Sequence, residues 1–208
     1  MESQDRIKRL LSYRNLLTQL QNLGFVKVFS DNIADSLGLS ASLVRKDFAV
    51  FGISGTQKGG YEVATILEKI NSILGKDRVH KVIIVGVGRL GRALLLYSQG
   101  FADEGIRIVA GFDIDPEKFD PNAEVPILPL SKMSEFIRAE AVKFAIVTVP
   151  DAAARQVIDL LKAEHVQGIL NFTSLKVKST EETIISQVNI EHELARLIYT
   201  VNSRNIQQ

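Results

Sequence analysis

Three glycines carry the clearest chemistry in this 208-residue chain, in the string Gly86-Val87-Gly88-Arg89-Leu90-Gly91. The spacing G-x-G-x-x-G assigns a task to each missing side chain: a tight turn, a close approach of backbone to a pyrophosphate, and contact between a helix and a strand. Val87, Arg89 and Leu90 fill the loop between them, and the helix that opens here points its positive end at the phosphates. Asp113 follows 22 residues after Gly91. A carboxylate at that place bonds both ribose hydroxyls of an adenosine and repels a 2′-phosphate, which favours NAD(H) over NADP(H). The plainer alternative is that Asp113 only caps a strand-end turn with Asp115 and Pro116.

No catalyst accompanies this pocket. His80 falls in a linker, His165 near a helix end and His192 in a C-terminal helix, none with a carboxylate at catalytic spacing. Tyr97 lacks the lysine four residues on that hydride chemistry uses, because position 101 is Phe. The chain has no cysteine, which excludes disulfides, thiolate nucleophiles and thiolate metal sites and leaves redox sensing to a bound cofactor. No catalytic residue and no metal site are therefore expected. With 46% hydrophobic and 24% charged residues, a polar start and no stretch as long as a membrane span, the chain reads as a cytoplasmic protein without a membrane partner.

The elements that must position the loop follow from hydropathy period. Residues 82–85 form a β-branched run suited to a strand buried on both faces, a helix runs over 90–99, and a second strand over 106–112 ends at Asp113. Further strands over 144–150 and 168–172 flank a helix over 152–164, the alternation of an open, mostly parallel sheet. Ligands in such sheets sit beyond the carboxyl ends of the strands, which nominates Thr148, Val149, Pro150, Asn171 and Phe172 for the nicotinamide side.

The first third has a different character. Residues 1–79 hold 11 Lys/Arg against 8 Asp/Glu, while 80–208 hold 14 against 16. An amphipathic helix carrying Ile7, Leu10, Leu11, Leu17 and Leu20 ends near 22–24; Ser30 caps a short helix over 31–37, and Ser40 opens another after Gly38. Two short helices joined by a glycine-containing turn form a helix-turn-helix, whose second member sends Ser40, Ser42, Arg45 and Lys46 toward a major groove. Arginine can bond two acceptors on guanine, and serines at a helix start can donate to phosphate. Taken alone, Arg45, Lys46 and Asp47 equally read as the solvated face of a packing helix. Residues 51–61, rich in glycine, read as the β-hairpin of a wing with Lys58 at its tip. A helix over 63–74 stops at Gly75.

The fold class expected is thus an α/β Rossmann-like dinucleotide-binding domain over 79–188, preceded by an α+β winged-helix DNA-binding domain over 1–78 and followed by a C-terminal dimerisation helix over 189–208. Val44-Arg45-Lys46-Asp47, Phe51-Gly52 through Gly59-Gly60-Tyr61, the glycine loop, Gly111-Phe112-Asp113-Ile114-Asp115 and Gly168-Ile169-Leu170-Asn171-Phe172 together resemble the Rex family of redox-sensing transcriptional repressors. That resemblance implies a homodimer on inverted-repeat operator DNA, released when NADH replaces NAD+. It implies DNA contacts from Arg45, Lys46 and Lys58, cofactor contacts from the glycines and Asp113, and a place for Tyr97 in the switch. It also implies that the helix striped with Ile190, Leu194, Leu197, Ile198 and Val201 is exchanged between subunits; the same stripe permits packing on its own sheet. The chain departs from the family at Asn15 and Asn189, where a charge pair is expected, and at Thr173-Ser174, where Ala-Pro is usual. Two competing functions fit parts of this pattern: a small NAD-dependent oxidoreductase with a helical appendage, and a protein binding a CoA-type nucleotide.

Overall fold

The computed structural model describes residues 2–55 and 59–205. The chain divides into two compact units, 1–78 and 79–208. In the first, α1 (Glu2–Asn22) leads into the short strand β1 (Lys27–Val28), then α2 (Ser30–Leu37) and α3 (Ala41–Val50), then β2 (Tyr61–Glu62) and α4 (Val63–Ile73). The α1 stripe is rotated from the sequence expectation: Leu10, Tyr13 and Leu17 are fully buried, while Ile7 and Leu11 are 42% and 40% exposed. Leu10, Tyr13 and Leu17 join Ile33, Val44, Phe48 and Ile70 in one core, and the Tyr13 and Phe48 rings meet edge-on at 5.4 Å.

Ser30 is not the α2 cap. Phe29 takes the extended cap position, its N–H donating to the Asn32 side chain at 3.2 Å, and Ser30 is the first helical residue, buried. The helix therefore begins one residue earlier than the sequence suggested. Gly38 then closes α2 at φ 64°, with its N–H on the Ala34 carbonyl. At α3 the expected cap is found, Ser40 Oγ accepting from Leu43 N–H at 3.3 Å.

The expected hairpin ladder inside 51–61 does not form among the described residues. The returning arm, Tyr61–Glu62, pairs antiparallel with Lys27–Val28 instead. Gly60 makes that pairing possible: at φ 66°, a Cβ on it would stand 2.7 Å from the Val28 carbonyl oxygen. Lys58 lies outside the described residues.

The second unit is a six-stranded parallel sheet built from β3 (His80–Val85), β4 (Ile106–Asp113), β5 (Ile127–Pro129), β6 (Phe144–Val147), β7 (Gly168–Asn171) and β8 (Ile184–Gln187). The spatial order β5-β4-β3-β6-β7-β8 is that of a doubly wound Rossmann sheet, with the order reversing between β3 and β6. Alternate residues of β3 divide the core: Ile83 and Val85 face the side packed by α7 (Met133–Glu140) and α8 (Asp151–Ala163), and Val82 and Ile84 face the other. His80 belongs to β3 rather than a linker, its ring edge-on to Phe144 at 5.4 Å.

The helix expected over 90–99 is two. Helix α5 (Arg89–Leu96) ends at Tyr97, and α6 (Ser98–Ala102) starts anew. Tyr97 N–H bonds back to the Ala93 carbonyl, and its ring lies over Gly100, where a Cβ would meet it at 2.4 Å. The last helix, α9 (Ile190–Asn205), leaves Ile190, Leu194, Leu197, Ile198 and Val201 at least half exposed. Asn189 accepts from His192 N–H at 2.8 Å, so this departure from the family pattern caps α9. Asn15 is exposed. Among the described residues no helix is long and apolar enough to cross a membrane.

Candidate nucleotide and nucleic-acid sites

At the order reversal, the ends of β3 and β6 open into a cavity of about 550 Å³ lined by Gly86, Gly88, Asp113, Thr148, Val149 and Pro150, among others. Two glycines of the loop are explained by the protein itself. Gly86 has φ 96° and would press a Cβ to 2.8 Å of the Thr148 and Val149 backbone; a Cβ on Gly91 would lie 2.1 Å from the Gly86 carbonyl oxygen. Thr148 Oγ1 donates to that same oxygen at 2.7 Å, stitching β6 to the turn. Gly88 is different. It is exposed, sits at the start of α5, and a Cβ there would meet no protein atom within 4 Å. Its bareness serves open space in front of a helix N-terminus, which is the fit a pyrophosphate requires.

Asp113 is 7% exposed, and its carboxylate ties the site together. Oδ2 accepts from Val87 N–H at 2.7 Å and from Lys118 Nζ at 3.1 Å; Oδ1 accepts from Asp115 N–H at 3.0 Å. Burial alone pushes this carboxyl up, but the bonds from the Asp115 amide, the Lys118 ammonium and the Val87 amide outweigh it and hold the pKa below the ordinary carboxylate range. The turn-capping alternative is thus real in part. It leaves room on Oδ1 for a further donor, since each carboxylate oxygen has two acceptor sites. Lys118 and Ile114, which also line the cavity, were not singled out by the sequence; the Asp-Pro-Glu-Lys turn after β4 was the signal available.

Arg89 and Leu90 are exposed on the first turn of α5, and Val87 is buried beneath it. Tyr97, Asn171 and Phe172 do not line this cavity. Tyr97 is 63% exposed with its ring edge-on to Phe101 at 5.4 Å. Phe172 packs with Ile84 and Ile146 on the sheet face opposite Val85. Asn171 is fully buried and spends its side chain on the structure: Nδ2 donates to the Leu175 carbonyl and Gln187 Oε1, and Oδ1 accepts from Thr173 N–H and Oγ1. Thr173 and Ser174 each use a hydroxyl that Ala and Pro lack. Thr173 satisfies Asn171, and Ser174 donates through its N–H and Oγ to the carboxylate of Asp151 at the start of α8.

In the first unit, Ser40, Ser42, Arg45 and Lys46 are all exposed along α3. Ser40 Oγ lies 3.1 Å from Ser42 Oγ, and Arg45 Nη1 donates to Ser30 Oγ at 2.9 Å. Asp47 is not on that face; it is 1% exposed and points at α1.

Comparison with known proteins finds matches to both units. A family model described as "Putative DNA-binding protein N-terminus" matches residues 3–49, and one described as "CoA binding domain" matches 77–175. The redox-sensing transcriptional repressor Rex of Leuconostoc citreum is 34% identical over 94% of this chain and 91% of its own. The chain belongs to the Rex family. Rex of Listeria welshimeri is 35% identical over 92% of this chain and 89% of its own. Among solved structures, the Rex-family repressor RSP in complex with β-NAD+ and operator DNA matches with a TM-score of 0.92 at 27% identity, over 98% of this chain and 94% of that one. RSP in complex with β-NADH matches with a TM-score of 0.84 at 26% identity, over 97% and 95%. The Rex family is one of transcriptional repressors.

Proposed function

We propose that this chain is an NADH/NAD+-responsive transcriptional repressor that binds operator DNA as a homodimer and leaves it when NADH binds, a cytoplasmic regulator and not an enzyme. The observation that carries the reading is the pairing, in one chain, of a helix-turn-helix unit with a Rossmann cavity whose Gly88 is bare toward solvent rather than toward protein. RSP, similar over almost the whole chain, has been captured with β-NAD+ and operator DNA and with β-NADH.

In this reading Gly86, Gly88 and Gly91 shape the loop and the backbone of Arg89 and Leu90 holds the diphosphate; Asp113, fixed by the Val87 N–H, takes the adenosine ribose; and Thr148, Val149 and Pro150 border the nicotinamide. Asn171 and Phe172, at the end of β7 beside β6, belong to the nicotinamide side, and Tyr97, exposed at the α5–α6 break, belongs to the switch. Arg45 and Lys46 read the major groove, Ser40 and Ser42 meet phosphate beside the helix start, and Lys58 reaches the backbone or minor groove from the wing. The apolar stripe of α9 pairs the subunits. NAD(H) supplies no bond-making here; it is a ligand whose oxidation state is read.

The match to a CoA-binding model keeps one other nucleotide in play, because a glycine loop reads diphosphate better than it reads a base. Titrating NADH, NAD+ and CoA into protein bound to an inverted-repeat duplex separates the readings. Release of DNA by NADH alone is expected; DNA that stays bound at NADH saturation overturns the proposal.

A further inference from the structure

Asp47 occupies an unusual place. It sits in α3 directly after Arg45 and Lys46, yet its side chain is 2% exposed. Its carboxylate receives Arg9 in a two-pronged bond, Nε at 2.6 Å and Nη2 at 2.8 Å, and the Tyr13 hydroxyl at 2.8 Å, with Arg6 Nε at 3.7 Å. All of these partners come from one face of α1, 34 or more residues upstream. Burial pushes the carboxyl up, but bonds from Arg9 and Tyr13 and the charges of Arg9 and Arg6 prevail and keep it ionised.

Side chains on a helix advance 100° per residue, so the direction of Asp47 sets the directions of the two residues before it. With Asp47 pinned to α1, Lys46 and Arg45 point away from it and into solvent. Val44 and Phe48 hold α3 through buried apolar contacts, and the bidentate guanidinium–carboxylate pair adds a directional one that ties the helix to α1. A buried ion pair of this kind adds little net stability over an apolar replacement, and its best-attested use is to select one arrangement among several.

We infer that Asp47 is a positioning residue for DNA recognition: clamped by Arg9 and Tyr13, it fixes the rotation of α3 and hence the aim of Arg45 and Lys46. The inference rests on the DNA-binding reading above. It assigns the Arg9 guanidinium to the clamp on Asp47 rather than to DNA, despite its charge and its place in the basic unit.

The test selects a duplex from a random library with the wild-type full-length protein, then measures affinity for that duplex and for a scrambled one of the same length. Asp47→Asn keeps the shape of the side chain but weakens both prongs. A triple variant, Arg9→Met with Tyr13→Phe and Asp47→Leu, replaces the clamp by apolar groups of similar volume. The ratio of specific to scrambled affinity is expected to fall about tenfold or more in both, the scale of a misplaced base contact. The salt dependence, which counts phosphate contacts, is expected to stay, as is NADH binding by the second unit. Either folded variant discriminating the two duplexes like the wild type overturns the inference. So does a triple variant that fails to fold, because the clamp would then serve stability. Failure of the wild type to select any duplex would instead defeat the DNA-binding reading itself.

Discussion

Arg45 and Ser30 are joined across the helix-turn-helix by a 2.9 Å hydrogen bond from the guanidinium to a buried hydroxyl. The bond leaves most of the guanidinium's five donors open and holds the side chain against α2 before DNA arrives. Pre-ordering of a long side chain lowers the entropy lost on binding. Ser30→Ala is expected to weaken operator binding by about 1 kcal/mol, within the usual range for one hydrogen bond. Arg45→Ala is expected to cost about 1–3 kcal/mol and to relax the preference at one base position. Equilibrium binding to operator duplexes with single base changes reads both. A Ser30→Ala protein that binds as tightly as wild type would remove any role for the bond in recognition.

The three loop glycines give opposite expectations for one substitution. Gly91→Ala drives a methyl into the Gly86 carbonyl and must push α5 from β3, costing about 1–3 kcal/mol as overpacking does, along with the ligand. Gly88→Ala meets nothing in the protein, and its φ of −80° suits alanine, so folding stability stays or rises by up to about 1 kcal/mol. Dinucleotide binding is expected to be lost nonetheless, because the methyl fills the approach of the phosphates. Thermal unfolding paired with NADH fluorescence titration separates the two effects. NADH bound normally by Gly88→Ala would place the diphosphate elsewhere.

Acid should loosen the second unit through Asp113. Its folded pKa lies below its unfolded value of about 3.9. A depressed carboxyl contributes stability that is fully present above the unfolded pKa and is lost as pH falls through the folded one. Stability is therefore expected to be flat in this respect from neutrality to about pH 5, then to decline below about pH 4. Asp113→Asn, which cannot titrate, is expected to remove part of that acid slope. Denaturant unfolding followed across pH measures it, and an unchanged slope in the variant would show that the Val87 and Lys118 bonds carry no stability.

The glycine loop and the β3-loop-α5 unit were legible in the sequence because their chemistry is local: a turn, a missing side chain, a helix start. The same holds for Ser40, which caps α3 through a residue three positions on. What was not legible depends on residues far apart in the chain. Asp47 reads as one more charge in Arg45-Lys46-Asp47, and only Arg9 and Tyr13, brought over by α1, make it an interior group. Tyr61–Glu62 finds its partner at Lys27–Val28 and not in the adjacent turn. Strand β5 is three residues long and ends on proline, too short for an alternation to register, and β8 is parallel to β7, a pairing that no hairpin signal marks. Asn171 sits at a strand end where ligands gather, but its four hydrogen bonds are taken by Thr173, Leu175 and Gln187.

Redox sensing requires that the two oxidation states differ in affinity for the two shapes of the dimer, since a ligand that binds both shapes equally shifts nothing. In the proposed placement of the nicotinamide, a wall of Val149 and Pro150 would suit the neutral dihydro ring, because a cationic ring buried without a counter-charge is costly. Asp151, one residue past Pro150, is the acidic group closest in sequence, but its carboxylate is taken by the Ser174 amide and hydroxyl. Ser174→Ala removes the hydroxyl bond and leaves the Ser174 amide on the carboxylate, which loosens the charge in part: the variant is expected to raise NAD+ affinity relative to NADH, and Asp151→Asn is not. Swinging a population from 1:99 to 99:1 takes about 10⁴-fold discrimination between shapes, so even a severalfold change in the NADH to NAD+ ratio should move the point at which operator is released. Calorimetric titration of both dinucleotides into each variant supplies the ratio. Equal affinities for NADH and NAD+ in the wild-type protein would leave it unable to report redox state through this pocket.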